Sequence, residues 1–244
     1  MYKNTGKQVL ILGANSDVAK EAIKLYVAQG HHVIAASRST GELATFVATQ
    51  IPVPEQVDVR YFDAVAFDTH QEFYNELPAK PHIVVYAAGF QVTNDEALVN
   101  WNGTLQMMKV HYSGAVSILN IIAMDVSNQH LERIVGLSSL SGVRGRKSNF
   151  VYGSTKAAFT TYLAGLRQYL APRKITINAI VAGYIRSKMT AHLDLPESLL
   201  LEPAYIANAI VQAPRRFVIV PGFKWKIIYN ILRLLPESLV AKLP

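Results

Sequence analysis

Short apolar runs rich in valine and isoleucine recur along the 244-residue chain, and longer segments of mixed polarity separate them. Several runs are apolar on successive residues, which is typical of strands buried on both faces of a parallel sheet. The pattern predicts strands at Gln8–Leu12, His32–Ala36, Val57–Phe62, Ile83–Ala87, Ile134–Ser138, Ile175–Ile180 and Phe217–Val220. It predicts helices at Val18–Gln29, Gly41–Gln50, Thr69–Glu76, Leu105–Asn128, Phe150–Leu170 and Pro203–Ala213. This alternation predicts an α/β fold with three layers, built around a doubly wound parallel sheet of about seven strands.

Composition supports one large globular unit. Half of the residues are hydrophobic, which is enough for a sizeable core. We predict a single domain over residues 1–222, with a substrate loop at 188–202, followed by an amphipathic C-terminal tail at 223–244. The chain has no cysteine, so disulfides, thiolate metal sites and cysteine nucleophiles are excluded, and no metal site is predicted.

The sequence contains no recognisable targeting or membrane-spanning segment. Its first residues enter a strand-like run directly, without the apolar core and cleavage site of a signal peptide. No apolar stretch reaches the roughly 20 residues that are needed to span a bilayer. These features predict a cytoplasmic protein.

Charge is distributed unevenly along the chain. Residues 1–132 contain 8 Lys and Arg against 13 Asp and Glu, whereas residues 133–244 contain 16 against 4. The basic second half could attract a phosphorylated substrate, a membrane surface or nucleic acid. No nucleic-acid recognition motif accompanies it. A solvated basic surface without any partner explains the same charges.

The turn after the first predicted strand, ILGANSDVAKEA at 11–22, stands where a phosphate-binding turn would be expected. Gly13 can adopt backbone conformations that other residues resist. Asn15, Ser16 and Asp17 have short side chains that suit the cap of the next helix, whose first N–H groups would face a phosphate. The carboxylate of Asp17 is unfavourable there unless it points away. An ordinary junction between a strand and a helix explains the same residues.

The second and third predicted strands end in residues that could bind an adenine nucleotide. Ser37 and Arg38 follow the second strand, where an acidic residue would bind the ribose hydroxyls of NAD. A hydroxyl and a guanidinium instead suit a 2′-phosphate, so NADP is predicted over NAD. The alternative is a surface arginine just past a strand. Asp63, after the third strand, could accept a hydrogen bond from the adenine amino group.

The segment SSLSGVRGRKSNFVYGSTKAA at 138–158 contains the candidate catalytic residues. Tyr152 and Lys156 are four positions apart in a predicted helix and therefore share one face. Ser139 ends the preceding strand. A tyrosine hydroxyl has a pKa of about 10, which a nearby ammonium lowers. Ser139 could then bind a carbonyl oxygen that Tyr152 protonates as hydride arrives from a cofactor. On its own, a tyrosine and a lysine at this spacing are usually structural.

Taken together, these stretches resemble the short-chain dehydrogenase/reductase family over nearly the whole chain. The matching motifs are ILGANSDVA, YAAG at 86–89, SSLSG, YGSTK and AGYIRS at 182–187. The resemblance implies a Rossmann-type fold, a catalytic triad and assembly into homodimers or homotetramers. It implies these residues: Ser139, Tyr152 and Lys156 in the triad, with Tyr152 and Lys156 also binding cofactor; Gly13, Asn15, Ser16, Asp17 and Val18 at the pyrophosphate; Ala88 and Gly89 near the ribose; and Gly183, Ile185 and Ser187 beside the nicotinamide.

The chain departs from the family pattern at several positions. Asp17 and Ala19 stand where the turn usually has two more glycines, and Tyr86 and Ala87 replace two asparagines. His111 stands where the family usually has an asparagine that holds a water in a proton relay. An imidazole can both donate and accept, so we predict that His111 relays protons itself. The alternative is a histidine packed against the active-site helix.

Within the family, the chain is similar to a subgroup of bacterial reductases that act on a polyprenyl-phosphate-linked keto-pentose. The similarity lies in the GANSDVA turn, the GVRGRKSNFVYGS stretch and the basic, apolar tail. The tail has apolar residues at helical spacing among lysines and arginines, with Trp225 and Tyr229 as amphipathic aromatics. It could lie on an anionic membrane surface, or it could dock on the protein or in a dimer contact.

These observations predict an enzyme that reduces a ketone to a secondary alcohol with NADPH, by Ser-Tyr-Lys acid/base catalysis. The substrate would be a small carbonyl compound, and a lipid- or phosphate-linked sugar is one such compound. The alternative is a catalytically silent NADP-binding sensor or scaffold protein with the same fold.

Overall fold

The computed structural model describes residues 6–191 and 193–242. Residues 1–5 of the predicted domain, His192 of the predicted substrate loop and residues 243–244 of the predicted tail lie outside the described residues. The strands are β1 (Gln8–Leu12), β2 (His32–Ser37), β3 (Val57–Tyr61), β4 (Ile83–Tyr86), β5 (Arg133–Ser139), β6 (Thr176–Ala182) and β7 (Val218–Ile219).

These strands form one sheet in the order β3-β2-β1-β4-β5-β6-β7, and every neighbouring pair is parallel. The predicted α/β fold with a doubly wound parallel sheet is confirmed. The order reverses between β1 and β4, so a crevice opens there at the carboxyl ends of the strands.

Helices cover both faces of the sheet. They are α1 (Asp17–Ala28), α2 (Thr40–Gln50), α3 (His70–Asn75), α4 (Asn94–Val99), α5 (Trp101–Met108), α6 (Gly114–Met124), α7 (Phe150–Leu170), α8 (Pro203–Val211), α9 (Phe223–Leu234) and α10 (Glu237–Val240). Successive strand residues point to opposite layers. In β1, Val9 and Ile11 pack in the core under α1, α2 and α8, whereas Leu10 and Leu12 pack in the core under α3, α6 and α7.

One predicted helix differs from the structure. The sequence pattern predicts a helix over Leu105–Asn128, but the structure has α5 and α6 joined by a π-helical segment, Lys109–Ser113. The α6 helix ends at Met124 because the side chain of Asp125 accepts hydrogen bonds from the backbone N–H groups of Ser127 and Asn128, which forms a turn.

The tail forms α9 and α10. Trp225 and Leu232 of α9 are buried in the core, which fastens this helix to the sheet domain. Within the described part of the chain, no helix is both long and apolar enough to cross a membrane.

Candidate active site

A cavity of about 550 Å³ lies at the carboxyl edge of the sheet. It is lined by residues that follow each of the strands β1 to β6, together with the first turns of α7. Of the site residues predicted from the sequence, only His111 does not line the cavity. The predicted residues that line it are Gly13, Asn15, Ser16, Asp17, Val18, Ser37, Arg38, Asp63, Ala88, Gly89, Ser139, Tyr152, Lys156, Gly183, Ile185 and Ser187.

The turn after β1 is shaped by close packing at Gly13. Its φ is +83°, a conformation that favours glycine, and a Cβ there would lie 2.3 Å from the backbone nitrogen of Ala88. Ser16 is the N-cap of α1, because its Oγ accepts a hydrogen bond from the Ala19 N–H at 3.2 Å. Ser16, Asp17 and Val18 line the cavity, so the start of α1 borders it, as a phosphate site requires.

The carboxylate of Asp17 is held by the opposite side of the cavity. Its Oδ2 accepts a hydrogen bond of 2.7 Å from the backbone N–H of Lys188, at the start of the predicted substrate loop. The Lys188 ammonium in turn pairs with Glu42 at 3.0 Å. Hydrogen bonds from Lys20 and Lys188 lower the pKa of Glu42. Asp17 thus links the turn after β1 to the predicted substrate loop.

The end of β2 is organised by Asn15. Its Nδ2 donates to Ser37 Oγ and to the backbone oxygen of Ser39, both at 2.9 Å. This places the Ser37 hydroxyl in the cavity wall, while Arg38 is exposed at its rim. Asp63 also lines this end of the cavity, and its Oδ1 accepts a hydrogen bond from the Val65 N–H.

Ser139, Tyr152 and Lys156 come together at the other end of the cavity. Ser139 is the last residue of β5, and the other two lie in the first turns of α7. Lys156 Nζ is 5.8 Å from the centre of the Tyr152 ring and donates a 3.1 Å hydrogen bond to the Leu137 backbone oxygen. The geometry brings a phenol, an amine and a serine hydroxyl to one wall of the cavity.

Burial changes the acidity of these groups. Burial raises the pKa of Tyr152 to about 12, although a hydrogen bond with Ser139 acts in the opposite direction. Burial also lowers the pKa of Lys156 to about 8. The Tyr152 hydroxyl is therefore protonated at neutral pH. The pKa of Lys156 is only slightly above neutral pH, so a small rise in pH removes the charge of its ammonium.

His111 lies in the π-helical segment and is fully buried. Its Nε2 accepts a 3.0 Å hydrogen bond from the Phe90 N–H, so the proton of the neutral ring is on Nδ1, which donates to Thr155 Oγ1 at 2.8 Å. Burial, followed by the charge of Lys156, lowers the pKa of His111 well below its usual value. Both ring nitrogens are thus hydrogen-bonded to protein groups.

Some residues of the site were not predicted. Thr155 connects His111 to α7 and donates a 2.7 Å hydrogen bond to the Tyr152 backbone oxygen. Asn149, which lines the cavity next to α7, donates to Ser141 Oγ at 2.9 Å. Both residues lie within the 138–158 segment and only three positions from Tyr152 in the sequence. This closeness is the sequence feature that could have identified them.

The tail helix α9 supports the cavity wall. The indole of Trp225 packs directly on Gly183, where a Cβ would be 2.0 Å from Trp225 Cε2. Its Nε1 donates a 2.8 Å hydrogen bond to the Leu199 backbone oxygen. The Arg144 guanidinium donates to the backbone oxygens of Leu232 and Arg233, both at 3.0 Å, near the end of α9. The helix is therefore tied to the loop that follows Ser139.

A parallel sheet with its cavity at the point where strand order reverses, and a helix N-terminus facing that cavity, defines the Rossmann-type class of nucleotide-binding proteins. Residues 7–198 match the family model for short chain dehydrogenase. The chain belongs to the short-chain dehydrogenase/reductase family, and it is an oxidoreductase of the dehydrogenase/reductase class.

Known proteins agree with this assignment. The chain is 27% identical over 245 residues to an uncharacterized oxidoreductase of Mycobacterium tuberculosis, covering 97% of this chain and 96% of that protein. A short chain dehydrogenase from Burkholderia cenocepacia, solved in complex with NADP, superposes with a TM-score of 0.78 at 16% identity, covering 96% of this chain and 95% of that one. The structure of an actinorhodin polyketide ketoreductase with NADPH also superposes with a TM-score of 0.78 at 16% identity. The superposition covers 90% of this chain and 97% of that one.

Proposed function

We propose that this protein reduces a ketone to a secondary alcohol with NADPH. The observation that carries the proposal is the presence of Ser139, Tyr152 and Lys156 in the same cavity as the turn after β1. The residues at that turn fit a dinucleotide, because Gly13, Ser16 and the start of α1 line the cavity and the carboxylate of Asp17 is bonded to the Lys188 N–H. The two solved structures compared above contain NADP or NADPH.

The three residues divide the acid/base work. Bound NADPH supplies the hydride, with its electron pair, that forms the new C–H bond at the carbonyl carbon. Ser139 holds the carbonyl oxygen by a hydrogen bond, and Tyr152 donates its hydroxyl proton to that oxygen. Lys156 stabilises the charge that develops on the tyrosine oxygen. A protonated Tyr152 at neutral pH suits the direction of reduction.

We propose that His111 positions groups rather than transferring protons. Its two hydrogen bonds connect Phe90, after β4, to Thr155 on α7. Thr155 precedes Lys156, and its hydroxyl is bonded to the backbone of Tyr152. The imidazole therefore fixes the helix that carries the catalytic pair against the loop containing Ala88 and Gly89.

Selectivity for NADPH is assigned to Arg38. We expect Arg38→Leu to weaken NADPH binding by roughly tenfold or more, since a charge-assisted contact with the 2′-phosphate is lost, and to leave NADH binding nearly unchanged. Isothermal titration calorimetry with both nucleotides measures this. Arg60→Leu is the matched control, because this arginine on β3 pairs with Asp58 on the protein surface. Equal affinity of the parent protein for NADH and NADPH would contradict the assignment.

The reaction should depend on pH through Lys156. Its pKa of about 8 means that the ammonium is present below this pH and is lost above it. We expect kcat/KM for ketone reduction to fall as the pH rises through about 8, because a neutral amine no longer stabilises the developing tyrosinate. Rates are measured across that range, with NADPH affinity determined in parallel to separate binding from chemistry. A rate that stays level well above this pH would exclude such a role for Lys156.

We also propose that the ketone is carried by a lipid- or phosphate-linked sugar and that α9 contacts the membrane. The outward face of α9 is an apolar stripe in which Phe223 is 77% exposed and Leu234 is 78% exposed, with Ile227 and Ile231 between them. These positions recur at helical spacing on one face. Trp225, on the opposite face of α9, is buried in the protein core. The exposed stripe is therefore free to contact the apolar part of a membrane.

Basic side chains flank the stripe. Lys224 lies on one side of it, and Lys226 and Arg233 lie on the other. Amphipathic helices with this arrangement bury their apolar residues in the headgroup region of anionic bilayers. The Lys224 ammonium also donates a 3.0 Å hydrogen bond to the Ser198 backbone oxygen, so α9 borders the predicted substrate loop.

Vesicle binding tests the membrane contact. We expect the protein to co-sediment with phosphatidylglycerol-containing vesicles more than with neutral ones, and the double variant Phe223→Ser/Leu234→Ser to bind roughly tenfold or more weakly. Val99→Ser/Val126→Ser is the control, since both valines are exposed elsewhere. Equal sedimentation of all three proteins would rule out the contact through α9. Assaying a lipid-linked keto-sugar against its water-soluble counterpart tests the substrate class separately.

A further inference from the structure

A second cavity, of about 390 Å³, lies at the amino edge of the sheet, and we call it the amino-edge cavity. Its lining includes the residue before β1, Lys7, and the first residues of β5 and β6, Arg133 and Thr176. Arg133 and Ser139 are the two ends of β5, which puts them about 20 Å apart at about 3.3 Å per residue. The amino-edge cavity is therefore separate from the catalytic cavity.

Its wall is strongly cationic. Lys7, Arg133, Arg173, Lys174 and Arg215 line it, against the single carboxylate of Glu132. The ammonium of Lys7 pairs with that carboxylate. The Arg173 guanidinium is used internally, since it donates to three backbone carbonyl oxygens near the end of α6.

The remaining cations have no anionic partner. Among residues 6–191 and 193–242, no ion pair involves Arg133, Lys174 or Arg215. Like charges gathered in a concave wall repel one another, and a bound anion would relieve that repulsion. Arg133, Lys174 and Arg215 all belong to the basic second half of the chain.

A buried hydroxyl points to the same kind of ligand. Tyr26 on α1 lines the cavity with only 1% of its surface exposed, and its Oη has no hydrogen-bond partner in the described structure. A buried donor without a partner is costly. Burial raises the pKa of Tyr26 far above its usual value, although the charge of Arg133 opposes this, so the hydroxyl keeps its proton and remains a donor.

We propose that the amino-edge cavity binds a small phosphorylated molecule, whose phosphate is held by Arg133 and Arg215 and accepts a hydrogen bond from Tyr26. Guanidinium groups fork onto phosphate oxygens, and a tyrosine hydroxyl adds a donor that does not need to be deprotonated. The volume suits a compact molecule such as a sugar phosphate or pyrophosphate. A concave site of this size does not admit a bilayer or a duplex. The proposal is independent of the function assigned to the catalytic cavity.

Calorimetry with inorganic pyrophosphate and with glucose 6-phosphate, at low ionic strength, tests this site. The titration is run with and without saturating NADPH, so that binding in the dinucleotide cavity is recognised by competition. The variants are Arg215→Gln, which removes one guanidinium, and Tyr26→Phe, which removes only the hydroxyl. The control is Arg216→Gln, because the neighbouring Arg216 has the same charge and does not line the cavity. Thermal unfolding confirms that each variant is folded.

We expect at least one probe to bind in the presence of NADPH, with roughly tenfold or greater weakening in Arg215→Gln, a severalfold loss in Tyr26→Phe and little change in Arg216→Gln. Three results would overturn the proposal: no binding of either probe, full competition with NADPH, or equal weakening by Arg216→Gln. If NADPH itself does not bind, the variants still locate the anion site. Failure of the proposed catalytic function is thus distinguished from failure of this site.

Discussion

The variant Tyr152→Phe is expected to reduce ketone turnover by roughly 10²- to 10⁴-fold while leaving NADPH affinity unchanged. The phenyl ring keeps its packing against His111, which it meets edge-on at 5.3 Å, but it has no proton to donate to the carbonyl oxygen. Single-turnover kinetics with a ketone substrate and calorimetric titration of NADPH measure the two quantities independently.

A matched control lies on the same helix. Tyr162 also belongs to α7, and its hydroxyl donates a 2.8 Å hydrogen bond to Asn120 outside the catalytic wall. Tyr162→Phe should therefore retain nearly full turnover. If Tyr152→Phe were as active as this control, the protein would not use Tyr152 as its acid. A parent protein that binds NADPH but turns over no ketone would instead favour the silent NADP-binding scaffold.

The variant Gly13→Ala is expected to abolish NADPH binding within the range of calorimetry and to lower the free energy of unfolding. Two effects act together, because the backbone has φ of +83° and the new methyl would lie 2.3 Å from the Ala88 nitrogen. A strained conformation and an overpacked contact each cost about 1–3 kcal/mol. Relief requires the turn after β1 to move away from Ala88, two residues beyond the end of β4, and this movement distorts the proposed phosphate site.

Gly30 separates the two effects. It has φ of +78°, but a Cβ there would meet nothing within 4 Å. Gly30→Ala should therefore show the conformational cost alone in urea unfolding and should keep its affinity for NADPH. Equal behaviour of the two variants would mean that the contact with Ala88 has no influence on the cofactor site.

The fold could be predicted because each buried strand is a short run of consecutive apolar residues in the sequence. Apolar residues on successive positions, as in Val9–Leu12, require both faces to be covered, and this leads directly to a parallel sheet between helical layers. The carboxyl ends of such strands must then share one edge. The grouping of Gly13, Ser37 and Ser139 around a cavity follows from that topology.

Contacts between distant segments could not be predicted. The hydrogen bond from the Lys188 N–H to Asp17 joins positions 171 residues apart, and no local pattern encodes it. The same applies to Phe90 and Thr155, whose bonds decide the tautomer of His111. The helical periodicity of the sequence also does not distinguish the π-helical turn at Lys109–Ser113 from an α-helix. In that turn the Val110 backbone oxygen accepts a 2.5 Å hydrogen bond from the buried Tyr86 hydroxyl.

The bond between Asp17 and Lys188 has a practical consequence for redesign. Consider a chimera that receives its 188–202 segment from a relative with glycine at the position of Asp17. The new loop would then face the Asp17 carboxylate, a hydrogen-bond acceptor that it did not have in its own protein. Engineers who wish to change what this scaffold accepts should exchange the two regions as a pair.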